Sequence, residues 1–587
     1  MIQRRPRSRA EAAVAALAAA GVLVLLGCAP EAPPAAPEEP QESDPSEETP
    51  GTEPDPEPEP EEDPGEDPEG TDAVVVDQAV WNFDTMEEVD LRVEVHPFVR
   101  VSTEEGDFLN GLITYQITSD SGEYHLDRHG VHPHEVRLVD TEAQRITHPA
   151  FATDGSGEEH LADVEDSTVH AGDDPVRWAG VHADPGTEST AVLLPYLGLI
   201  EDVAIVDAED ADTSDYLPVE EALPELVEIH EATWDLQSHR ERADGDVQIR
   251  QSDDGATLTL DSDILFAVDE HTLTEEAEAA LQVASDELEG FEGGELRIVG
   301  HTDDVRSLEH NEQLSADRAE AVHQRLEELL DAEDLTVTTE GRAFHEPVAS
   351  NETEQGRAMN RRVELHYTPA EASDPPDTED AGELEDTGEL DQTEDDDLPA
   401  TSGPVGRAGE PLEITGEHGG VVEVSVEEVH TAGNLLVGRI RVEVLETADD
   451  GEEPLPLSWA LGFGDRGMHE SHENPYNPGN QTDALTLLNA QERIFPLEFD
   501  DTESFEGADE EGFIREQGDP WRSVAADRGF GMDAEAEVGS WSVATVLWPQ
   551  TGTEEVVVDV PGQSEHAERP WSEPWRVVDV PVETEKP

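Results

Sequence analysis

Residues 296–322 read LRIVGHTDDVRSLEHNEQLSADRAEAV, and the structure of the centre of the chain can be predicted from this stretch. Its first residues follow the alternation of a strand, which we expect to end in a loop at Gly300 and His301. A helix is predicted from Asn311 onwards, because apolar residues recur there at four-residue spacing. Arg318 occupies one position of that otherwise apolar stripe, so its guanidinium is expected on the core side of the helix.

An arginine on the core side of a helix needs an anion or several acceptors, because an unpaired buried charge is strongly unfavourable. Asp303, at the end of the predicted strand, is the nearest candidate in the sequence. One interpretation is an internal salt bridge between Asp303 and Arg318. The other is a clamp for a zwitterionic ligand, in which Asp303 binds an ammonium group and Arg318 binds a carboxylate in a fork geometry. The two residues alone leave both interpretations open.

A longer set of motifs accompanies this pair and spans about residues 258–367. The motif residues are Ile264, Leu265, Phe266, Gly300, His301, Thr302, Asp303, Asn311, Leu314, Ser315, Arg318, Ala319, Gly341, Pro347, Asn351 and the run GRAMNRRVE at 356–364. In these residues the chain resembles the OmpA-like C-terminal peptidoglycan-binding domain. Outer-membrane proteins, peptidoglycan-associated lipoproteins and flagellar stator subunits share that domain.

The resemblance implies non-catalytic binding of the peptide stem of peptidoglycan, usually through a diaminopimelate residue. In that family the aspartate equivalent to Asp303 holds the ligand's amine, and the arginine equivalent to Arg318 holds its carboxylate. The resemblance therefore favours the clamp over the internal salt bridge. It also implies that Thr302, Asn311 and Arg361 line the same pocket.

The chain departs from the family pattern at two places. Family members often carry a glycine shortly after the aspartate, where this chain has Asp304, Val305 and Arg306, and a second glycine where it has Ala343. We expect these changes to affect loop shape and ligand preference more than the fold. The central domain, residues 233–369, is predicted to be an α/β sandwich with the order β-α-β-α-β-β and its helices on one face.

The composition is strongly acidic, with 144 Asp and Glu against 32 Lys and Arg and a formal net charge of −112 over 587 residues. This balance argues against nucleic acid and against an anionic membrane surface as the main partner, since both are bound by positive patches. It is typical of proteins that stay soluble in concentrated salt, which favours a salt-tolerant source. The length predicts about three or four structural units.

The first 28 residues are predicted to be a lipoprotein signal peptide. Four arginines precede an apolar stretch from Ala12 to Leu26, which is too short for a comfortable membrane span. The stretch ends in Leu25-Leu26-Gly27-Cys28, which resembles a bacterial lipobox, so we expect lipidation of Cys28. The alternative is a plain signal peptide with a stray cysteine. Because Cys28 is the only cysteine, internal disulfides and cysteine metal clusters are excluded.

Two acidic, proline-containing segments are predicted to be disordered because they lack the apolar area for a core. Residues 29–72 would form a tether behind the lipid anchor, and residues 370–404 a linker.

Two all-β modules are predicted on either side of the central domain. Residues 73–232 contain short alternating runs separated by Gly, Asp, Pro and Ser, which is typical of an antiparallel β-sandwich. Residues 405–587 are predicted to be a second copy, because three pairs of motifs recur in the same order. The pairs are 109–113 with 436–440, 138–146 with 487–494, and 186–195 with 552–561. We therefore predict two immunoglobulin-like modules.

Other sequence features suggest no catalytic or metal site. His125, His129, His132 and His134 crowd one loop and could bind zinc or copper, but they lack a strict ligand spacing, so an exposed polar loop is favoured. No nucleophile elbow, phosphate-binding loop or metalloprotease motif is present in the sequence. We therefore predict a protein that is not an enzyme and has neither metal nor cofactor.

The predicted function is to tether the membrane to the cell wall, as a lipid-anchored extracytoplasmic protein that binds diaminopimelate-type peptidoglycan. The alternative is a surface adhesion or solute-binding lipoprotein whose β-sandwiches bind an unknown, possibly protein, partner while the central domain only docks it to the wall. A stator-like motor subunit would need a membrane helix with an ionisable residue, which the apolar stretch does not supply. The stem residue, the role of the sandwiches and the presence of an outer membrane in the host stay open.

Overall fold

The structure is a computed structural model of the chain. It describes residues 73–102, 106–126, 135–153, 158–164, 167–208, 213–214, 216, 228–230, 232–242, 246–252, 255–289, 293–330, 335–370, 398–416, 419–447, 484–489, 492–500, 522–524, 536–561 and 574–584. The signal peptide with Cys28, the tether, three of the four crowded histidines and most of the acidic linker lie outside these residues. Within them, no helix has the length and apolar character that a membrane span requires.

The N-terminal module is built from β-strands. They are β1 (Val74–Asn82), β2 (Glu87–Val95), β3 (Phe98–Ser102), β4 (Asp107–Ile117), β5 (Glu123–His125), β6 (Arg137–Asp140), β7 (Arg145–Thr147), β8 (Phe151–Thr153), β9 (Glu158–His160), β10 (Ala162–Val164), β11 (Thr168–His170), β12 (Val176–Ala183), β13 (Ser189–Leu194), β14 (Gly198–Asp207), β15 (Glu228–His230) and β16 (Thr233–Asp235). Alternate residues of strands such as β2 point into a core that includes Leu91, Tyr115 and Trp178.

The central domain combines strands and helices. They are β17 (Ser238–Arg242), β18 (Val247–Ser252), β19 (Gly255–Asp261), α1 (Ser262–Leu265), α2 (Ala277–Glu289), β20 (Gly294–His301), α3 (Leu308–Leu329), β21 (Leu335–Ala343), α4 (Glu354–Asn360) and β22 (Arg362–Thr368). β20 pairs with β21 in parallel and with β22 in antiparallel orientation. The predicted α/β character of this domain is confirmed.

The C-terminal module is again built from strands. They are β23 (Val405–Arg407), β24 (Leu412–Thr415), β25 (Val421–Ala432), β26 (Leu435–Glu446), β27 (Thr486–Asn489), β28 (Glu492–Ile494), β29 (Glu498–Asp500), β30 (Arg522–Val524), β31 (Trp541–Pro549), β32 (Glu555–Val560) and β33 (Trp575–Pro581). Its core includes Ile440, Trp548 and Trp575.

The strand β20 and the helix α3 form where the sequence predicts them. Ser307 caps the helix, because its side chain accepts a hydrogen bond from the backbone N–H of His310, and Glu309 lies in the first turn. One face of the helix is buried. The buried residues are Asn311, Leu314, Ser315, Arg318, Ala319, Val322 and Leu326.

The element order of the central domain differs from the predicted β-α-β-α-β-β at three places. Two strands, β17 and β18, precede β19, a short helix, α1, precedes α2, and another short helix, α4, lies between the last two strands. Thr353 caps this helix, and its hydroxyl accepts a hydrogen bond from the backbone N–H of Gly356 at 2.9 Å. The segment is too short to give a recognisable helical periodicity, which explains why the sequence pattern did not predict it.

The two β modules share a strand-pairing pattern. In the N-terminal module β4 pairs with β2 and β12, and β13 pairs with β6 and β14. In the C-terminal module β26 pairs with β25 and β31, and β32 pairs with β27 and β33. This repetition supports the predicted duplication, while the immunoglobulin-like assignment stays a prediction.

The sheet of the central domain continues into the C-terminal module. Its strand order is β21-β20-β22-β19-β18-β17-β28-β27-β32-β33-β23. At the junction Arg240 of β17 lies opposite Ile494 of β28. The side chain of Arg240 donates to Glu287 of α2 at 2.7 and 3.0 Å and lies 3.7 Å from Glu492 of β28. The central domain is therefore joined to the C-terminal module by the backbone hydrogen bonds between β17 and β28 and by the ion pair between Arg240 and Glu492.

A buried histidine joins the two β modules. His430 of β25 lies with its Nε2 3.1 Å from Glu201 of β14 and its Nδ1 3.4 Å from Glu428. Burial alone would lower the pKa of His430, but the two glutamates outweigh it and raise the pKa to about 9.

We expect the folded protein to lose stability as the pH rises from about 6.5, the ordinary pKa of histidine, to about 9. Throughout this window the folded state binds a proton that the unfolded chain has released, so the contribution of His430 is complete below the window and lost above it. Thermal unfolding at a series of pH values measures this slope. His430→Gln should flatten it, whereas the exposed His271→Gln should keep it. An unchanged slope in His430→Gln would contradict the assignment.

Candidate functional site

The loop after β20 and the middle of α3 are brought together by close backbone packing. A Cβ atom on Gly300 of β20 would lie 2.1 Å from the backbone oxygen of Ser315, and one on Gly341 of β21 would lie 2.5 Å from the backbone nitrogen of Ala316. Glycine at these positions lets both strands lie directly against the helix. This packing holds Arg318, one turn further along α3, beside the loop that follows β20.

Arg318 is buried and has no carboxylate partner in the part of the chain that the structure describes. It is only 3% exposed. Its Nε donates to the backbone oxygen of Glu270 at 3.1 Å, and its guanidinium lies 5.0 Å from the centre of the Phe266 ring. Among the described residues, no carboxylate oxygen lies within 4.0 Å of it and its two terminal nitrogens donate no hydrogen bond. Burial lowers the pKa of Arg318 from its ordinary value, which reflects the cost of holding this charge.

Asp303 pairs with Arg361 rather than with Arg318. Its Oδ2 accepts from Nη1 of Arg361 at 2.8 Å, and its Oδ1 accepts from the backbone N–H of Val305 at 3.2 Å. The internal Asp303–Arg318 salt bridge, one of the two interpretations of the sequence, is therefore not formed in this structure. The carboxylate of Asp303 is mostly buried, with 15% of its side chain exposed.

Arg361 joins two aspartates. Besides Asp303, it binds Asp263 through Nε at 2.9 Å and Nη2 at 2.7 Å, and Glu354 lies 3.7 Å away. The hydrogen bonds that Arg361 donates to Asp263 and to Asp303 raise the pKa of Arg361 above its ordinary value, so the guanidinium stays charged at any pH at which the protein folds.

Thr302 and Asn311 shape the loop that carries Asp303. The side-chain amide of Asn311 donates a hydrogen bond to the backbone oxygen of Asp303 at 2.9 Å. The backbone N–H of Thr302 donates to the backbone oxygen of Ala343 at 2.8 Å. The hydroxyl of Thr302 is buried and has no hydrogen-bond partner within the described part of the chain. Thr302, Asp303, Asn311 and Arg361 are therefore joined by the chain and by hydrogen bonds. Arg318 makes no hydrogen bond to these four described residues, but it lies close enough to interact electrostatically with Asp303 and Arg361.

The two departures from the family pattern have structural consequences. Ala343 has a φ of +49°, a left-handed conformation that favours glycine, so alanine carries backbone strain of about 1–2 kcal/mol there. Arg306 forms an ion pair with Asp269, which lies in the loop next to Glu270. This pair connects the loop after β20 to the loop that contacts Arg318.

Sequence reasoning did not identify Asp263 or the backbone of Glu270 as parts of the site. In a chain with 144 acidic residues, one more aspartate beside a motif gives no signal of its own. Phe266 belongs to the motifs, but its position beside the Arg318 guanidinium results from tertiary packing and has no signal in the local sequence.

Comparison with known proteins assigns this region to a family. A sequence model described as the OmpA family matches residues 265–361, which include all five predicted site residues. Over 112 residues the chain is 35% identical to YfiB of Escherichia coli (strain K12), a protein named as a lipoprotein, and the match covers 19% of this chain and 70% of YfiB. The chain belongs to the OmpA family.

The OmpA-family region is similar to other envelope proteins as well. It is 30% identical over 106 residues to outer membrane protein Omp38 of Acinetobacter baumannii, covering 18% of this chain and 30% of Omp38. The chain thus spans less than a third of the length of that relative. A solved structure, the cell wall anchor of the T6SS from Pseudomonas aeruginosa, is 32% identical, with 21% of this chain and 89% of that one covered and a TM-score of 0.20.

Proposed function

We propose that the OmpA-family domain binds the peptide stem of peptidoglycan without catalysing a reaction. Asp303 and Arg318 would hold the two charged ends of a zwitterionic residue, diaminopimelate being the expected one. The observation that carries this proposal is the guanidinium of Arg318, which is buried yet has no carboxylate within 4.0 Å among the described residues. A ligand carboxylate would compensate this charge through two parallel hydrogen bonds.

The other predicted residues have supporting roles in this proposal. Asp303 uses two of about four acceptor positions on its carboxylate, for Arg361 and Val305, which leaves acceptor capacity for an ammonium group. Asn311 fixes the backbone of Asp303, and the buried hydroxyl of Thr302, which has no hydrogen-bond partner among the described residues, would donate to the ligand.

The proposal extends to the location of the protein. A lipid on Cys28 and the acidic tether of residues 29–72 would place the wall-binding domain, which begins with β17 because residues 233–235 pair with β7 of the N-terminal module, outside the cytoplasm and at a distance from the membrane. The signal-peptide pattern and the similarity to a protein named as a lipoprotein support this arrangement. The flanking modules, residues 73–232 and 405–587, would then act as spacers or as surfaces for a further partner.

Co-sedimentation of the purified full-length protein with purified cell-wall sacculi tests the proposed clamp. We expect Asp303→Ala and Arg318→Ala each to weaken binding by about 2–3 kcal/mol, roughly 30- to 150-fold, because each removes a charge-assisted contact. At a micromolar protein concentration, we therefore expect neither variant to sediment with the sacculi. Arg325→Ala is the matched control, since Arg325 lies on the same helix and pairs at the surface with Glu278 and Glu328. Normal binding by both clamp variants would refute the proposal.

A further inference from the structure

We infer that Asp263 is a positioning residue of this site. It orients the guanidinium of Arg361, and Arg361 in turn orients the carboxylate of Asp303 to bind an ammonium group. The inference rests on the proposed function, because it concerns how the same site accepts the amine of its ligand. Asp263 belongs to none of the motifs that carry the family resemblance, and its role follows from the geometry of three side chains.

The position of Asp263 is fixed by its own backbone contacts. Asp263 lies two residues after Asp261, which caps α1. The Oδ1 atom of Asp261 accepts a hydrogen bond from the backbone N–H of Asp263 at 2.8 Å. The neighbouring Ser262 donates its backbone N–H to the backbone oxygen of Arg361 at 3.0 Å. The start of α1 and the residue after α4 are therefore held together by the main chain, independently of the side chains.

Asp263 controls the orientation of the whole Arg361 guanidinium. Its two carboxylate oxygens accept from Nε and Nη2 of Arg361 at 2.9 and 2.7 Å. Because the guanidinium is planar and rigid, fixing two of its nitrogens determines the direction of the third. That third nitrogen, Nη1, donates to Oδ2 of Asp303 at 2.8 Å. With Oδ1 held by Val305, the carboxylate of Asp303 cannot rotate freely.

Asp263 also controls the charge that a ligand would meet. Arg361 alone would neutralise Asp303, and an incoming ammonium group would then find little net attraction. With Asp263 present, two carboxylates bind the guanidinium directly and the exposed Glu354 lies 3.7 Å from it, so the cluster keeps a net negative charge near Arg318. The resulting arrangement offers one negative and one positive partner, as a zwitterion requires.

The test compares two ligands on the full-length protein by calorimetry. One is a soluble stem peptide that ends in diaminopimelate with a free side-chain amine, and the other is the same peptide with that amine acetylated. We expect Asp263→Asn to weaken binding of the free-amine peptide about 10-fold and to leave the weaker binding of the acetylated peptide unchanged. Asp263→Glu, which keeps both oxygens and the charge, should recover part of the affinity.

The control variant is Glu278→Gln, which makes the same carboxylate-to-amide change in another bidentate arginine pair of the domain, with Arg325 on the surface. It should bind both peptides normally. Equal weakening of both peptides by Asp263→Asn would show that Asp263 only stabilises the fold, and unchanged binding of both would show that it has no role. Either result overturns the inference.

Failure of the positioning role of Asp263 can be distinguished from failure of the proposed function. If Asp303→Ala and Arg318→Ala lose wall binding while Asp263→Asn binds both peptides like the native protein, the clamp stands and the positioning role falls. If the native protein binds neither peptide nor sacculi, the proposed function itself falls.

Discussion

Replacing Gly300 by alanine is expected to destabilise the central domain by about 3 kcal/mol and to remove wall binding as well. The added Cβ would lie 2.1 Å from the backbone oxygen and 2.9 Å from the backbone carbon of Ser315, distances that real Cβ atoms essentially never show. Because these are backbone atoms of α3, a side-chain rotation cannot relieve the clash, and the helix must move away from the sheet. That movement separates Arg318 on the helix from Asp303 on the loop.

Chemical denaturation of Gly300→Ala, followed by sacculus co-sedimentation, measures both effects. Gly406→Ala is a suitable control. Gly406 also lies in a strand, but the three atoms nearest to its added Cβ all belong to the flexible side chain of Leu412, the closest at 3.3 Å. Native stability in Gly300→Ala would show that the contact between β20 and α3 can relax without cost.

Replacing Asp559 by alanine is expected to destabilise the C-terminal module by about 3–5 kcal/mol. Asp559 of β32 is 1% exposed. It accepts from Nη2 of Arg493 at 3.0 Å and from Nε of Arg576 at 2.8 Å. Both arginines are largely buried, so the substitution leaves two positive charges that have lost their shared carboxylate.

The loss for Asp559→Ala is measured by urea unfolding and compared with that for Arg407→Ala. Arg407 pairs with Asp579 on the neighbouring strand β33, but both side chains are exposed, and such pairs contribute about 1 kcal/mol at most. A similar small loss for both variants would mean that Asp559 does not neutralise the two arginines in the folded protein.

The central part of the fold was predictable because its signals are local. The alternation of β20 and the four-residue spacing of α3 each depend on fewer than about 25 neighbouring residues, and both elements form where expected. The repeated motifs likewise indicated two related β modules. The family resemblance then suggested five candidate site residues, and the structure places them near one another.

The specific pairing within the site was not predictable. The sequence suggested that Asp303 faces Arg318, whereas the structure pairs Asp303 with Arg361. Which of two arginines an aspartate contacts depends on the placement of α1 and α4, and neither short helix has a periodic pattern. The role of Asp263 was hidden for the same reason, because a surplus of acidic residues makes every arginine appear to have many partners. The continuation of the sheet from β17 into β28 joins distant segments and has no local signal.

This shared sheet affects how the molecule would carry mechanical load. β16 ends the N-terminal module at Asp235, and only Leu236 and Gln237 separate it from β17 of the central domain. Gln237 forms a bridge with Glu498, and β17 pairs with β28, so the C-terminal module braces both sides of this short connection. Tension applied between the N-terminal module and a wall-bound central domain would therefore be resisted by a braced joint rather than absorbed by bending at a hinge.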